Sequence, residues 1–147
     1  MTARAACFPL GAQTAGRRYA VLGLARSGLT TVAALLAADA VVVAWDDQAE
    51  ARDAAAALGA QIADLLTLDL AGFSGVIVSP GVPINTHPLA AHARAAHVPL
   101  LGDIELFAQS RASLPAHHVV GITGTNGKST TTALIHHLLV SAGRTAM

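Results

Sequence analysis

The sequence predicts an α/β fold in which helices flank a parallel β-sheet. From residue 17 onward, short apolar runs alternate with helical patterns, as expected for repeated strand-helix-strand units. The run Val41–Trp45 is apolar throughout, which is typical of a strand buried on both faces. Glycine-rich turns at Gly23 and Gly124 follow two predicted strands, and each leads into a helical pattern. Such turns place phosphate groups at a helix N-terminus, so we expect this fold to bind nucleotides.

The predicted elements follow one another closely along the chain. Strand 19–22 leads through a tight turn into helix 28–38, in which Leu29, Val32 and Leu36 share one face. The next elements are strand 41–45, helix 49–58, strand 75–78, a helix from Pro88 to about residue 96, strand 98–101 and helix 103–109. Proline suits the first turn of a helix, because its missing N–H has no acceptor there. Residues 17–113 are therefore predicted to form a Rossmann-like domain.

A second glycine-rich loop follows predicted strand 119–122 and opens a helix. It reads Gly-x-x-Gly-x-x-Gly-Lys-Ser, a variant of the ordinary phosphate loop, because Ile122 stands where that template has glycine. Main-chain N–H groups of such a loop point at one anion, together with those of the helix's first turn. We predict that Lys128 reaches the β- and γ-phosphates of a nucleotide and that Ser129 coordinates Mg²⁺. The predicted nucleotide-binding residues are Gly124, Thr125, Asn126, Gly127, Lys128, Ser129 and Thr130. The alternative is a structural turn with a solvated lysine.

The first turn, residues 23–28, resembles the dinucleotide fingerprint Gly-x-Gly-x-x-Gly, with Asp46 following at the end of the second strand. Ala25 replaces the middle glycine, which in a dinucleotide site lets the main chain approach the pyrophosphate. That methyl group disfavours NAD but still allows a diphosphate at the helix N-terminus. Asp46 could then accept a hydrogen bond from a ribose hydroxyl or a base N–H. Phosphate binding, a nicotinamide cofactor and a purely structural turn are all open interpretations.

Composition excludes several classes of protein. The chain has 147 residues, 53% of them hydrophobic and 12% charged, with zero formal net charge. It therefore lacks the basic excess of a nucleic-acid binder. Arg26 and Asp39 interrupt the most apolar region, so no membrane-spanning helix is expected. The first residues do not read as a secretory signal, which favours the cytoplasm. Cys7 is the only cysteine and has no intrachain disulfide partner.

A polar stretch at residues 110–118 reads as a linker before the second loop. We therefore expect an N-terminal tail over residues 1–16, the Rossmann-like domain over 17–113, and the start of a truncated P-loop ATPase-type domain over 114–147. The domain boundary is placed near Ser113.

Two phosphate sites in one chain, the second at the start of a new domain, indicate two ligands that each contain a nucleotide. Residues 124–130 resemble the ATP loop of the Mur ligases. Residues 102–107, Gly-Asp-Ile-Glu-Leu-Phe, resemble the segment that closes the first domain of that family's D-glutamate-adding member. The Ser-Pro-Gly segment at residues 79–81 and the turn at residues 23–28 match that member in order and spacing. The resemblance covers residues 17–147.

The resemblance implies an ATP-dependent ligase of peptidoglycan precursor synthesis, and thus a role in cell-wall biogenesis, cell shape and cell division. Family members have three domains, and this chain would hold the first and the start of the second. In the family, ATP phosphorylates the terminal carboxylate of the UDP-linked substrate, and an amino acid amine attacks the acyl phosphate to form an amide. The implied substrates are UDP-N-acetylmuramoyl-L-alanine and D-glutamate, with Mg²⁺ beside ATP. A cytoplasmic monomer without nucleic-acid or membrane partners is expected, and the isolated chain should be inactive.

Site residues follow from the resemblance position by position. Arg26 and Ser27 match positions whose main chain meets the diphosphate, and Gly81 matches a substrate-facing loop glycine. Asp46 and Asp47 match the positions beside uracil. The family often has threonine and arginine after the first of those acids, where this chain has Asp47 and Gln48.

Other polar residues are given structural roles. Adjacent histidines, at 117–118 and 136–137, project to different sides of a strand or helix, so we predict no metal site there. Asp103 and Glu105 are expected to stabilise a helix start rather than act as an acid-base pair. The last helix is expected to carry an apolar stripe of Leu134, Ile135, Leu138 and Leu139. The alternative functions are a nicotinamide-dependent oxidoreductase module, a non-catalytic nucleotide-binding fragment, and a related Mur or folylpolyglutamate ligase.

Overall fold

Residues 10–146, which the computed structural model describes, divide after Leu114 into two compact units. The first unit contains the strands β1 Arg18–Leu22, β2 Val41–Trp45, β3 Gln61–Ile62, β4 Gly75–Val78 and β5 Leu100–Leu101. Its α-helices are α1 Arg26–Ala37, α2 Ala49–Leu58, α3 Leu89–Ala95 and α4 Asp103–Ser110, and short 3₁₀ helices cover Ala12–Thr14 and Arg111–Ser113. The described part of the second unit contains one helix, α5 Lys128–Ser141.

The first unit is built on a five-stranded sheet in the order β3-β2-β1-β4-β5, with every neighbouring pair parallel. This confirms the predicted Rossmann-like α/β fold. From β1 the chain moves outward in one direction through β2 and β3, and then returns to the other side of β1 with β4 and β5. The carboxyl ends of β1 and β4 therefore flank the topological switch point, where ligands bind in open α/β sheets.

Both faces of the sheet are covered. Along β1, Tyr19 and Val21 lie in one apolar cluster and Ala20 and Leu22 in the other, and all are buried. Side chains alternate between the faces of a strand, so burial on both faces requires a continuous apolar run. The interpretation of three apolar runs as buried strands is therefore confirmed for β1, β2 and β4.

Some element bounds differ from the prediction for local reasons. The strand β3 was not predicted, because its two residues are too short to show a period. The strand β5 begins at Leu100 rather than residue 98. Pro99 has no N–H to donate to a ladder, although its carbonyl accepts the N–H of Val76 at 2.9 Å.

Residues 10–16 pack onto the first unit, although the sequence predicted a tail there. Leu10 lies against the apolar cluster of β1 and α1. The N–H of Gly16 donates to the carbonyl of Asp39 at 2.8 Å, and the hydroxyl of Ser113 donates to Oε1 of Gln13 at 2.6 Å. Cys7 lies outside the described residues.

The second unit lacks the strand predicted at residues 119–122, and that prediction is wrong for this structure. A β-strand requires main-chain hydrogen bonds to a neighbouring strand. No described segment of this unit pairs with residues 119–122. Leu134 and Leu138 of the expected apolar stripe are 56% and 57% exposed. No described residue from 115 onward is buried, so the described part of this unit has no apolar core for the stripe to join. None of the described helices has the length and hydropathy to cross a membrane.

Candidate functional site

The turn between β1 and α1 is anchored to both neighbouring strands at the switch point. The N–H of Gly23 donates to the carbonyl of Trp45 at 2.9 Å, and the N–H of Leu24 donates to Oδ2 of Asp46 at 2.7 Å. From the other side, the buried hydroxyl of Ser79 donates to the carbonyl of Gly23 at 2.6 Å. The ends of β2 and β4 together fix the shape of this turn.

Two glycines of the turn are required by its geometry. Gly23 has a φ of +85°, which favours glycine, and a Cβ there would lie 2.8 Å from a methyl group of Val82. A Cβ on Gly28 would lie 1.9 Å from the carbonyl oxygen of Gly23 and 2.8 Å from Oγ of Ser79. The first turn of α1 therefore packs directly on the loop that precedes it.

A cavity of about 450 Å³ opens beside the N-terminus of α1. Its lining includes Arg26 and Ser27, the residues assigned to a diphosphate, together with Ala25 and Thr30. Main-chain N–H groups in the first turn of a helix have no acceptor within the helix and favour anions. Asp103, predicted only to stabilise the start of α4, also lines this cavity, so an acidic residue lies beside the N-terminus of α1.

The carboxylate of Asp46 stabilises the turn between β1 and α1, a role that its position in the sequence did not indicate. Besides accepting the N–H of Leu24, its carboxylate accepts the N–H of Gln48 through Oδ1 at 2.9 Å. Each carboxylate oxygen has a second lone pair, so a ligand hydroxyl could still donate to Asp46. Asp47 is exposed. The described contacts therefore give the two acids different roles: Asp46 holds the turn, and Asp47 faces solvent.

Replacing Asp46 with alanine is expected to destabilise the first unit by about 1–3 kcal/mol, the usual effect of leaving a buried donor such as the N–H of Leu24 unsatisfied. The same change should weaken binding of a UDP ligand, because the turn loses its tie to β2. Thermal unfolding and calorimetric titration measure the two effects, and Asp47→Ala is the matched control for the thermal midpoint. Equal midpoints for the two variants would contradict the role given to Asp46.

The loop after β4 contains Gly81, predicted to face the substrate. Gly81 is exposed, and an added Cβ would meet no atom within 4 Å. A second cavity of about 290 Å³ lies next to this loop, with apolar side chains at the ends of β4 and β5. Glu105 at its rim accepts the N–H of Gly102 through Oε2 at 3.0 Å, which fits the predicted helix-stabilising role.

The second unit presents the glycine-rich loop before α5. Gly124 and Gly127 have φ values of +148° and +77°, and Gly127 is the residue that precedes the helix. The ammonium of Lys128 donates to the carbonyl of Gly124, and lies 3.4 Å from that of Thr125. Lys128 therefore folds back over its own loop, and a bound phosphate would compete with these carbonyls for the ammonium group.

The remaining predicted ATP-binding residues surround this lysine. Thr125 and Asn126 lie in the loop, and Ser129 and Thr130 lie in the first turn of α5, all of them exposed. Within residues 10–146, no group of three or more histidine, cysteine, aspartate or glutamate side chains could hold a metal ion. These residues form an exposed loop and helix start, and their binding of a nucleotide and Mg²⁺ stays a prediction.

Known proteins support the fold and the resemblance found in the motifs. No family model matches the sequence. The chain is 73% identical over 129 residues to UDP-N-acetylmuramoylalanine--D-glutamate ligase of Sphingopyxis alaskensis, covering 88% of this chain and 30% of that protein. It is 65% identical over 129 residues to the same-named enzyme of Novosphingobium aromaticivorans, covering 88% of this chain and 29% of that protein. The chain therefore spans about 30% of the length of these relatives.

Among solved structures, a dipicolinate synthase polypeptide from Bacillus halodurans superimposes with a TM-score of 0.54. The match covers 88% of this chain and 47% of that one at 20% identity, so it shows the fold alone. The much higher identity to the two ligases confirms the resemblance drawn from the motifs. Over most of its length, this chain is homologous to the N-terminal portion of the UDP-N-acetylmuramoylalanine--D-glutamate ligases, members of the Mur ligase family.

Proposed function

We propose that this chain is the substrate-binding part of an ATP-dependent ligase that joins D-glutamate to UDP-N-acetylmuramoyl-L-alanine. The observation that carries the proposal is the turn at the switch point, held by Asp46 and Ser79 beside the cavity at the start of α1. That position suits a diphosphate, and the two curated relatives are named for this reaction.

The first unit would bind the UDP-linked substrate. Main-chain N–H groups at Arg26 and Ser27 would receive the diphosphate at the N-terminus of α1. The exposed Asp47 would lie beside the uracil ring. Asp46 would hold the turn between β1 and α1 in place through its hydrogen bond to Leu24. Gly81 leaves open space where the loop after β4 would approach the ligand.

The second unit would contribute to ATP binding. The loop at residues 124–130 would surround the phosphates, and Lys128 would exchange its loop carbonyls for phosphate oxygens. Ser129 would hold Mg²⁺, which neutralises phosphate charge when bound. The proposed reaction transfers the γ-phosphoryl group of ATP to the carboxylate of UDP-N-acetylmuramoyl-L-alanine, and ADP is the leaving group. Attack by the amine of D-glutamate on that acyl phosphate then forms the amide and releases phosphate.

A chimera tests this proposal directly. The matching 129 residues of the Sphingopyxis alaskensis ligase are replaced by the corresponding part of this chain, and ADP release is followed with UDP-N-acetylmuramoyl-L-alanine, ATP and D-glutamate. We expect turnover that requires all three substrates, with little turnover when L-glutamate replaces D-glutamate. The isolated 147-residue chain should produce no amide. A folded chimera without turnover, or amide formation by the isolated chain, would contradict the proposal.

A further inference from the structure

Arg52 reaches from α2 to the carboxyl end of β2, beside the turn at Gly23, and its place in the sequence indicated no role. Its side chain is half-buried. The nitrogen Nη1 donates to the carbonyl of Asp46 at 2.7 Å and to that of Asp47 at 2.9 Å. The guanidinium carbon also lies 4.8 Å from the centre of the Trp45 ring. One side chain thus contacts three successive residues.

The same residues support the switch-point turn. The carbonyl of Trp45 accepts the N–H of Gly23, and the carboxylate of Asp46 accepts the N–H of Leu24. Holding the carbonyls of Asp46 and Asp47 restricts the main chain that carries the Asp46 carboxylate. Arg52 is therefore connected to the turn through a short series of described hydrogen bonds.

The charge of Arg52 acts at the same place. Asp46 and Asp47 put two carboxylates at the carboxyl end of β2, the side of the sheet that would meet the negatively charged UDP ligand. A guanidinium that hydrogen-bonds to the main chain of both residues offsets part of the repulsion between the carboxylates and that ligand. Its planar shape lets it stack on Trp45 while donating in its own plane.

We propose that Arg52 is a positioning residue of the nucleotide subsite, which holds the end of β2 so that Asp46 fixes the turn at Gly23. This inference rests on the proposed function, since the ligand concerned is the UDP-linked substrate. Arg52 does not touch the reacting atoms. It acts through Asp46 on the place where the diphosphate would bind.

The chain offers a matched control for the stack itself. Arg18 places its guanidinium carbon 4.3 Å from the centre of the Phe73 ring. Arg18 is the first residue of β1, at the edge of the sheet opposite the switch point. A general effect of removing an arginine from an aromatic ring should appear in both Arg52→Gln and Arg18→Gln, whereas a positioning effect should appear only in Arg52→Gln.

Fluorescence of Trp45, the only tryptophan in the sequence, provides the measurement. The 147-residue chain and its variants are titrated with UDP-N-acetylmuramoyl-L-alanine and with UDP. We expect both ligands to change the wild-type emission. Arg52→Gln should raise the Kd for both about tenfold, roughly what one lost charge-assisted hydrogen bond is worth. Arg52→Lys should lie between it and wild type, and Arg18→Gln should bind like wild type.

The thermal unfolding midpoint of each variant shows whether a loss of affinity comes from a loss of folding. If Arg52→Gln is too unstable to titrate, Arg52→Lys, which keeps the positive charge, replaces it in the comparison. Wild-type affinity in Arg52→Gln would overturn the inference while leaving the proposed function intact. An equal loss of affinity in Arg18→Gln would also overturn it. Absence of UDP-ligand binding by the wild-type chain would overturn the proposed function together with the inference.

Discussion

Replacing Lys128 with alanine should reduce turnover of the chimeric ligase by about a thousandfold or more, as expected when a cation that neutralises a transferring phosphoryl group is removed. Lys128 is the only lysine in the sequence, so no neighbouring lysine of this chain can take its place. Its ammonium group contacts the carbonyls of Gly124 and Thr125, in the loop just before the N-terminus of α5. The rate of ADP release at saturating substrate measures the effect.

The matched control for Lys128→Ala is His137→Ala, an exposed position on the same helix. This control should retain normal turnover. Binding of UDP-N-acetylmuramoyl-L-alanine should be the same in both variants, because its proposed site lies in the first unit. Turnover of Lys128→Ala within a few-fold of wild type would refute the catalytic role.

Replacing Gly28 with alanine should abolish measurable binding of UDP ligands and lower the stability of the first unit. The added Cβ would lie 1.9 Å from the carbonyl oxygen of Gly23, which is a main-chain atom held by the hydroxyl of Ser79. Neither the turn nor the start of α1 can move away without breaking these contacts. Overpacking of this kind costs about 1–3 kcal/mol or more. Thermal unfolding and calorimetry measure stability and binding.

Gly81→Ala controls for the loss of a glycine in the same region. Its Cβ would meet no atom within 4 Å, so its thermal midpoint should equal that of wild type. If Gly28→Ala folded with the wild-type midpoint and bound UDP ligands normally, the close packing of α1 on the turn would be wrong.

The centre of the first unit was predictable because β1, β2 and β4 are short, mainly apolar and largely buried. Val41–Trp45 and Gly75–Val78 were placed with the bounds that the structure has. The two-residue β3 gives no periodic signal, and Pro99 shortens β5 through a missing donor that a hydropathy pattern does not register. Residues 119–122 have the composition of a strand, but forming one depends on a partner that local sequence does not specify.

The candidate site was predictable at its glycines and less so at its polar contacts. The fingerprint at residues 23–28 marked the turn, and the structure places Arg26 and Ser27 at the cavity beside it. The hydrogen bonds of Asp46 and Ser79 to the turn join residues far apart in sequence, so no spacing rule reveals them. Arg52 was missed for a different reason, since an arginine near the start of an alanine-rich, largely exposed helix usually reads as solvated.

Calorimetric titration of the purified chain with UDP-N-acetylmuramoyl-L-alanine, with UDP and NADH as comparison ligands, tests the assignment of the first unit most directly. We expect the muramoyl ligand to bind and NADH to give no heat of binding, because Ala25 restricts the close main-chain approach that a dinucleotide needs. Binding of NADH without binding of either UDP ligand would contradict this assignment. The turn at Gly23 would then be a dinucleotide-binding site, and the proposed ligase function would be refuted.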